Sequence, residues 1–222
     1  MRILAAAVLG CACALVPAGA LELTFRATTG ATVTVFDETI QAVSGGFRAA
    51  VKSPLEQSTM EMDGGFQTLA WTYRVPGDQT EISARLTGRT IAVTGRFKGK
   101  PFETAFDTGG SPWYEYQELS LDRFATGPAQ SIRFVTIDRS KMKLVAFNAR
   151  KTGQAQITVK GETVKAVEAV LLIEGIPEFL LRSRLWLRQA DGRYLRLLVP
   201  AFGGIGASTL IELVGESGAL AE

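Results

Sequence analysis

Gly88-Arg-Thr-Ile-Ala-Val-Thr-Gly-Arg-Phe-Lys-Gly-Lys-Pro-Phe-Glu-Thr-Ala-Phe-Asp-Thr-Gly-Gly-Ser-Pro-Trp-Tyr114 supports two opposed readings. Ile91, Val93, Gly95 and Phe97 alternate on one side of a strand, Lys98-Gly99-Lys100 turns the chain, and a second strand ends at Phe106. In one reading, Asp107-Thr108-Gly109 is an aspartic-protease signature at the end of this hairpin. Such an enzyme needs two carboxylates sharing one proton, one activating water while the other serves as the acid. In the other reading Asp107 sits in a turn and Trp113 restarts the next strand. The chain has no second Asp-Thr/Ser-Gly, so a dimer would have to supply the partner carboxylate. Gly110 stands where that family has Ser or Ala, and Pro112-Trp113 follows at once. The turn reading is preferred, and a dimeric aspartic hydrolase using Asp107 is the alternative. Gly95 within its strand predicts a bulge or tight bend that curls the sheet.

The same period of two runs outward in both directions. Upstream, Leu21 to Arg26, Ala31 to Phe36, Phe47 to Val51 and Gln57 to Met62 are strand-like, with Thr29-Gly30, Gly45-Gly46, Ser53-Pro54 and Asp63-Gly64-Gly65 between or after them. Leu69, Trp71, Tyr73 and Val75 then share a face, as do Ile82, Ala84 and Leu86. Downstream, Leu119 to Phe124 predicts a short helix with Ser120 as its cap. Strands resume over Ile132 to Ile137, Lys143 to Ala149, Gln156 to Val159 and Thr163 to Ile173. Around Asp191-Gly192, a three-residue loop with Gly192 left-handed sets Leu187 opposite Leu195 and Leu185 opposite Leu197. That register puts Arg184, Trp186, Arg188, Tyr194 and Arg196 on the other face. Thr209 to Glu212 has capping-box spacing and predicts a short helix from Thr209 to Val214, ended by Gly215.

Composition limits the chemistry. The 222 residues are 46% hydrophobic and 21% charged, with a formal charge of +2. That balance is globular, and the charge is too small to argue for nucleic acid. Residues 1–20 have the pattern of a signal peptide: Met1-Arg2, an apolar run from Ile3 to Val16, then Ala18-Gly19-Ala20 as a small-x-small cleavage site. The apolar run is too short for a transmembrane helix. An exported β domain over 21–222, in the periplasm and without a transmembrane segment, is therefore expected. Val8-Leu9-Gly10-Cys11 also resembles a lipobox, so a lipoprotein anchored through Cys11 is the alternative address. Both cysteines, Cys11 and Cys13, lie in this leader, and the chain contains no histidine. Once the leader is removed, disulfides, Cys–His and Ser–His–Asp catalysis, and zinc sites built on Cys or His are excluded. No metal or other cofactor is expected.

Two further groups of residues bear on function. Trp71, Tyr73, Phe97, Trp113 and Tyr114 could line an apolar cavity in a curled sheet or simply pack its core. Arg182, Arg184, Arg188, Arg193 and Arg196 crowd one hairpin beside Trp186 and Tyr194. They could meet anionic groups, but the preferred reading is a solvated face whose arginine stems cover aromatic surface.

Leu69-Ala-Trp71-Thr-Tyr73, Thr80 to Ala84, Gly95-Arg-Phe-Lys-Gly99-Lys, Asp107 ahead of Pro112-Trp113, Phe134, Trp186 and Asp191-Gly-Arg-Tyr-Leu-Arg196 together carry a diffuse resemblance. The chain resembles a family of bacterial exported proteins with large curled antiparallel sheets, similar to the lipoprotein-carrier half-barrels. The resemblance spans most of Leu69 to Gly203. It implies a turn role for Asp107, no enzyme and no defined ligand.

The expectation is thus a mainly β protein: a strongly curved antiparallel sheet, half-barrel or open barrel, with one or two short helices. Its expected role is non-catalytic binding of a lipid or other apolar ligand on the concave face, through Trp71, Tyr73, Trp113 and Trp186. A structural or envelope-protein-binding role is a further alternative.

Overall fold

The computed structural model describes residues 19–220. The expected leader lies outside them apart from Gly19 and Ala20, and so do Cys11 and its possible lipid. Fourteen strands form one antiparallel sheet, in the order β8-β7-β6-β5-β4-β3-β2-β1-β14-β13-β12-β11-β10-β9. Two meanders therefore run outward from the β1–β14 seam. β1 (Ala20–Thr29) pairs on one side with β2 (Thr32–Val43) and on the other with β14 (Thr209–Gly218). The first meander continues through β3 (Gly46–Lys52), β4 (Gln57–Asp63), β5 (Thr68–Val75), β6 (Thr80–Thr87), β7 (Thr90–Phe97) and β8 (Lys100–Asp107). The second comprises β9 (Ser131–Asp138), β10 (Lys143–Val159), β11 (Glu162–Ile173), β12 (Ser183–Arg188) and β13 (Tyr194–Val199). The sheet is strongly curled but not closed, as β8 and β9 are not paired with each other. Among the described residues, no helix is long and apolar enough to cross a membrane.

Alternation sets the inner face. Leu21, Leu23 and Phe25 of β1, Ile82 and Ala84 of β6, and Ile91 and Val93 of β7 are buried, while their strand neighbours point outward. Gly95 belongs to this inner phase. Its φ is 139°, and a Cβ there would lie 2.1 Å from the Glu81 carbonyl oxygen. The β6–β7 register runs through it without a shift, so the glycine allows a close approach rather than the bulge its position suggested.

The concavity holds a plug. After β8 the chain crosses beneath the sheet through Pro112 to Tyr114 and two helical turns, α1 (Gln117–Ser120) and α2 (Asp122–Thr126). Trp113, Leu119 and Leu121 are fully buried. Trp113 does not restart a strand of the meander. It makes a lone parallel bridge to Val135 of β9, and its carbonyl accepts from Thr68 N at 2.9 Å. Ser120 is not a cap, since its hydroxyl donates inward to the Phe66 carbonyl at 2.9 Å.

Three other local expectations are corrected. Thr209 to Val214 is not a helix but most of β14, bonded to β1 and β13 on its two sides. Capping-box spacing is a local signal, and pairing on both edges overrides it. Lys143–Ala149 and Gln156–Val159 are parts of one strand, β10, with a bulge at Thr152 between Lys151 and Gly153. In the β12–β13 hairpin Leu185 does face Leu197, and Gly192 is left-handed at φ 77°, but Leu187 faces Tyr194 across a bulge. Tyr194 is consequently turned into the core, edge-on to Phe25 with ring centroids 5.5 Å apart.

Candidate functional site

The strand-to-helix crossing places a charged cluster against the open part of the concave face. Glu115, one residue before Tyr116 and the α1 turn, is 3% exposed. Its carboxylate accepts from Trp113 Nε1 at 3.1 Å, Thr136 Oγ1 at 3.0 Å and Ile137 N at 2.9 Å, and pairs with Arg139 Nε at 3.3 Å. Burial raises its pKa, and Arg139 leads the contacts that oppose the rise. Arg139 comes from the β9–β10 turn and also meets Glu56 at 3.0 Å from the β3–β4 loop. Glu56 in turn accepts from the Tyr73 hydroxyl at 2.9 Å, and the Arg139 guanidinium lies 5.5 Å from the centre of the Tyr73 ring.

Beside this cluster lies a cavity of about 280 Å³, walled by Phe36, Val51, Leu55, Tyr116 and Ile211 and carrying Glu38, Glu56, Glu118 and Arg139. The volume lies just below the usual range of ligand clefts, roughly 300–1,000 Å³, so it suits one short chain or a compact head group. Leu55 is 68% exposed and marks the cavity mouth. Glu38 is 1% exposed and sits in the inward phase of β2 with Phe36 and Ile40. Burial pushes its carboxyl well above the usual carboxylate range, and the charge of Glu118 pushes it further. The Tyr116 hydroxyl bears on Glu38, but the two do not meet in hydrogen-bond geometry. Burial likewise raises Glu118 and Tyr116.

The side chains expected to bind ligand are distributed differently. Trp71 is 1% exposed, stacks on Tyr73 with centroids 5.3 Å apart, and donates from Nε1 to Ser58 Oγ at 2.7 Å. Trp113 is covered completely within the plug. Tyr73 is outside the cavity wall and is tied to it through Glu56 and Arg139. Trp186 lies in the β12–β13 hairpin, outside the cavity wall, with the Arg184 guanidinium 4.9 Å from the centre of its ring. The structure thus brings Trp71 and Tyr73 together and leaves Trp186 apart. The hairpin arginines are matched by carboxylates: Arg182 by Glu178, Arg184 by Glu168, Arg188 by Asp191 and Glu216, Arg193 by Glu216, and Arg196 by Glu212, with the buried Asp122 carboxyl a further 3.7 Å neighbour of Arg193.

Asp107 is exposed at the end of β8. It accepts from Gly109 N at 2.8 Å and pairs with Arg89 at 3.3 Å. The Gly109 N–H, followed by Arg89, holds its carboxyl below the ordinary aspartate value. Its exposure and its local partners, Gly109 N and Arg89, are those of a turn aspartate. Glu38, Glu56, Glu115, Glu118, Tyr116 and Arg139 were not singled out by sequence. For Glu38 a signal existed: it is a carboxylate in step with the inward residues Phe36 and Ile40.

No family model matches the chain, and no curated protein matches it. Solved structures do. A β-barrel-like protein of the DUF1849 domain family from Brucella abortus is similar over 92% of this chain and 99% of its own, with 11% identity and a TM-score of 0.62. MucB in its complex with MucA from Pseudomonas aeruginosa matches over 91% of this chain and 53% of its own, with 14% identity and a TM-score of 0.37. A LolA-superfamily protein from Nitrosomonas europaea matches over 93% and 88%, with 8% identity and a TM-score of 0.29. The likeness to the Brucella protein is one of fold: a curled, barrel-like β-sheet.

Proposed function

We propose that this chain is an exported, non-catalytic binding protein of the bacterial periplasm that holds a small amphipathic ligand in the cavity beside α1. The carrying observation is the pairing of an apolar wall, Phe36, Val51 and Ile211, with buried polar groups that have no protein partner. A cavity meant only to be filled would be apolar throughout, because an unsatisfied buried polar atom costs about 1–3 kcal/mol. Trp71 and Trp113 are both buried, so the reading places the ligand in the cavity beside α1 rather than on those two rings. The leader pattern of residues 1–20 supports export. The exposed, Arg89-paired state of Asp107 supports a role without hydrolysis.

The test is mass spectrometry of organic extracts from the protein purified at native expression without detergent. A stoichiometric amphiphile is expected, and Ile211→Trp, which fills the cavity, should abolish its recovery. Equal recovery from both proteins would move the site elsewhere. No amphiphile in either would favour a structural or envelope-partner role.

A further inference from the structure

We infer that the cavity selects a cation: an ammonium group seated among Glu38, Glu118 and the Tyr116 hydroxyl, with its apolar body against Phe36 and Ile211. This rests on the cavity being the binding site. The acidic and basic groups lining it are unequal in number. Glu38, Glu56 and Glu118 face it with one guanidinium, that of Arg139. Arg139 is already engaged by Glu56 at 3.0 Å and by Glu115 at 3.3 Å. Glu38 and Glu118 make no ion pair among the described residues.

The buried polar atoms point the same way. Glu38 Oε2 has no hydrogen-bond partner, although its residue is 1% exposed. The Tyr116 hydroxyl, in a residue 2% exposed and on the cavity wall, has none either. Buried groups of this kind mark a partner supplied from outside the chain. An ammonium presents three donors and no acceptor, which complements two carboxylates and a phenol oxygen. The apolar wall of Phe36, Val51 and Ile211 beside these carboxyls suits an organic cation with an apolar body rather than a hydrated metal ion.

Protonation gives the cation a signature. Glu38 is pushed up by burial and by Glu118, against the charges of Arg139 and Arg193. Glu118 is pushed up by burial, with Glu115 and Glu56 adding to the rise and Arg139 opposing it. In the empty cavity these carboxyls hold protons in a range where free glutamate has lost them. An entering ammonium favours their ionised forms, so binding releases protons and tightens as pH rises. A fatty carboxylate needs the protonated forms and weakens as pH rises.

The experiment is calorimetric titration of the full protein, stripped of bound lipid, with decylamine, decanol and decanoate at pH 5.5 and 8. Decylamine should bind at least tenfold more tightly than decanol at pH 8, by a smaller factor at pH 5.5, with heats that depend on the buffer's ionisation enthalpy. Glu38→Gln and Glu118→Gln should each weaken decylamine at least fivefold and leave decanol unchanged. Thermal melting identifies any folding defect, and Glu118→Gln, at a half-buried site, carries the test if Glu38→Gln misfolds. Lysophosphatidylethanolamine binding in preference to lysophosphatidylglycerol would assign the ammonium to a lipid head group, and decylamine binding alone would assign it to free amines. Equal binding of the three decyl probes, or unaltered amine binding in both variants, overturns cation selection and leaves the binding reading standing. No binding by any probe overturns both.

Discussion

At Gly95 the backbone of β7 passes so close to β6 that a methyl group has no place: the added Cβ would meet the Glu81 carbonyl oxygen at 2.1 Å, at a φ of 139°. Neither the rigid neighbour nor the backbone angle can relax cheaply, so Gly95→Ala should destabilise the fold by about 2–4 kcal/mol in denaturant unfolding. Gly153→Ala is the control, because nothing lies within 4 Å of its Cβ position; it should change stability by less than about 0.5 kcal/mol. A similar contrast separates the acidic residues. Asp107, singled out by its motif, holds a turn in solvent. Glu115, in no motif, accepts three hydrogen bonds and an arginine contact in the interior. Burial and partners, rather than sequence context, separate the two.

β14 is the element on which the two meanders depend. It pairs with β1 through nine residue pairs, from Leu21–Gly218 to Thr29–Thr209, and with β13 through Arg196–Glu212 to Val199–Thr209. A proline within it removes a ladder donor and forces the strand away from a neighbour. Leu210→Pro should therefore cost at least about 3 kcal/mol or abolish cooperative unfolding, while Leu210→Val should leave a cooperative transition; near-ultraviolet circular dichroism through a urea titration reads both. The opposite end of the sheet contrasts with this. β8, an edge strand, already carries Pro101. The β10–β11 hairpin is long enough to bend back on its own meander, where Arg196 donates to the Thr158 carbonyl at 3.1 Å.

Across the whole molecule the plug converts an open sheet into a packed core. α2 ends this plug, and Asp122 within it is pressed between Arg193 and the rest of the interior. Burial pushes its carboxyl up to about 8, against the pull of Arg193. From about pH 4 to pH 8 the native state then holds a proton that the unfolded chain has released. Stability should fall as pH rises, by at most about 1.4 kcal/mol per pH unit for this group, and level off above its native pKa. Asp122→Asn removes the titration while Arg193 keeps Glu216 at 3.4 Å. Its melting temperature should exceed that of the parent at pH 8.5 and approach it at pH 5, in a profile taken by differential scanning calorimetry.

Alternation of side chains and the spacing of turn residues determined that this chain is an antiparallel β protein. Both are properties of neighbours along the chain: strands present opposite faces every second residue, and Gly, Asp and Pro set the turns between them. The inner faces of β5, β6 and β7 were legible for that reason, except at Leu69, which the β4–β5 bulge turns outward. Thr209 to Val214 has the local spacing of a capped helix, whereas what makes it a strand is pairing on both edges, one of them with β1 at the far end of the chain. The cavity was hidden for the same reason. Glu38, Glu56, Tyr116, Glu118 and Arg139 come from β2, a loop, the plug and the β9–β10 turn, and only curling of the sheet around the plug brings them to one place. The sequence by itself determined the material of the fold, a run of amphipathic strands. Which aromatics are core, which carboxylates face a cavity and where a ligand can sit were decided by tertiary structure, because burial and charge pairing are relations between segments that sequence order does not contain.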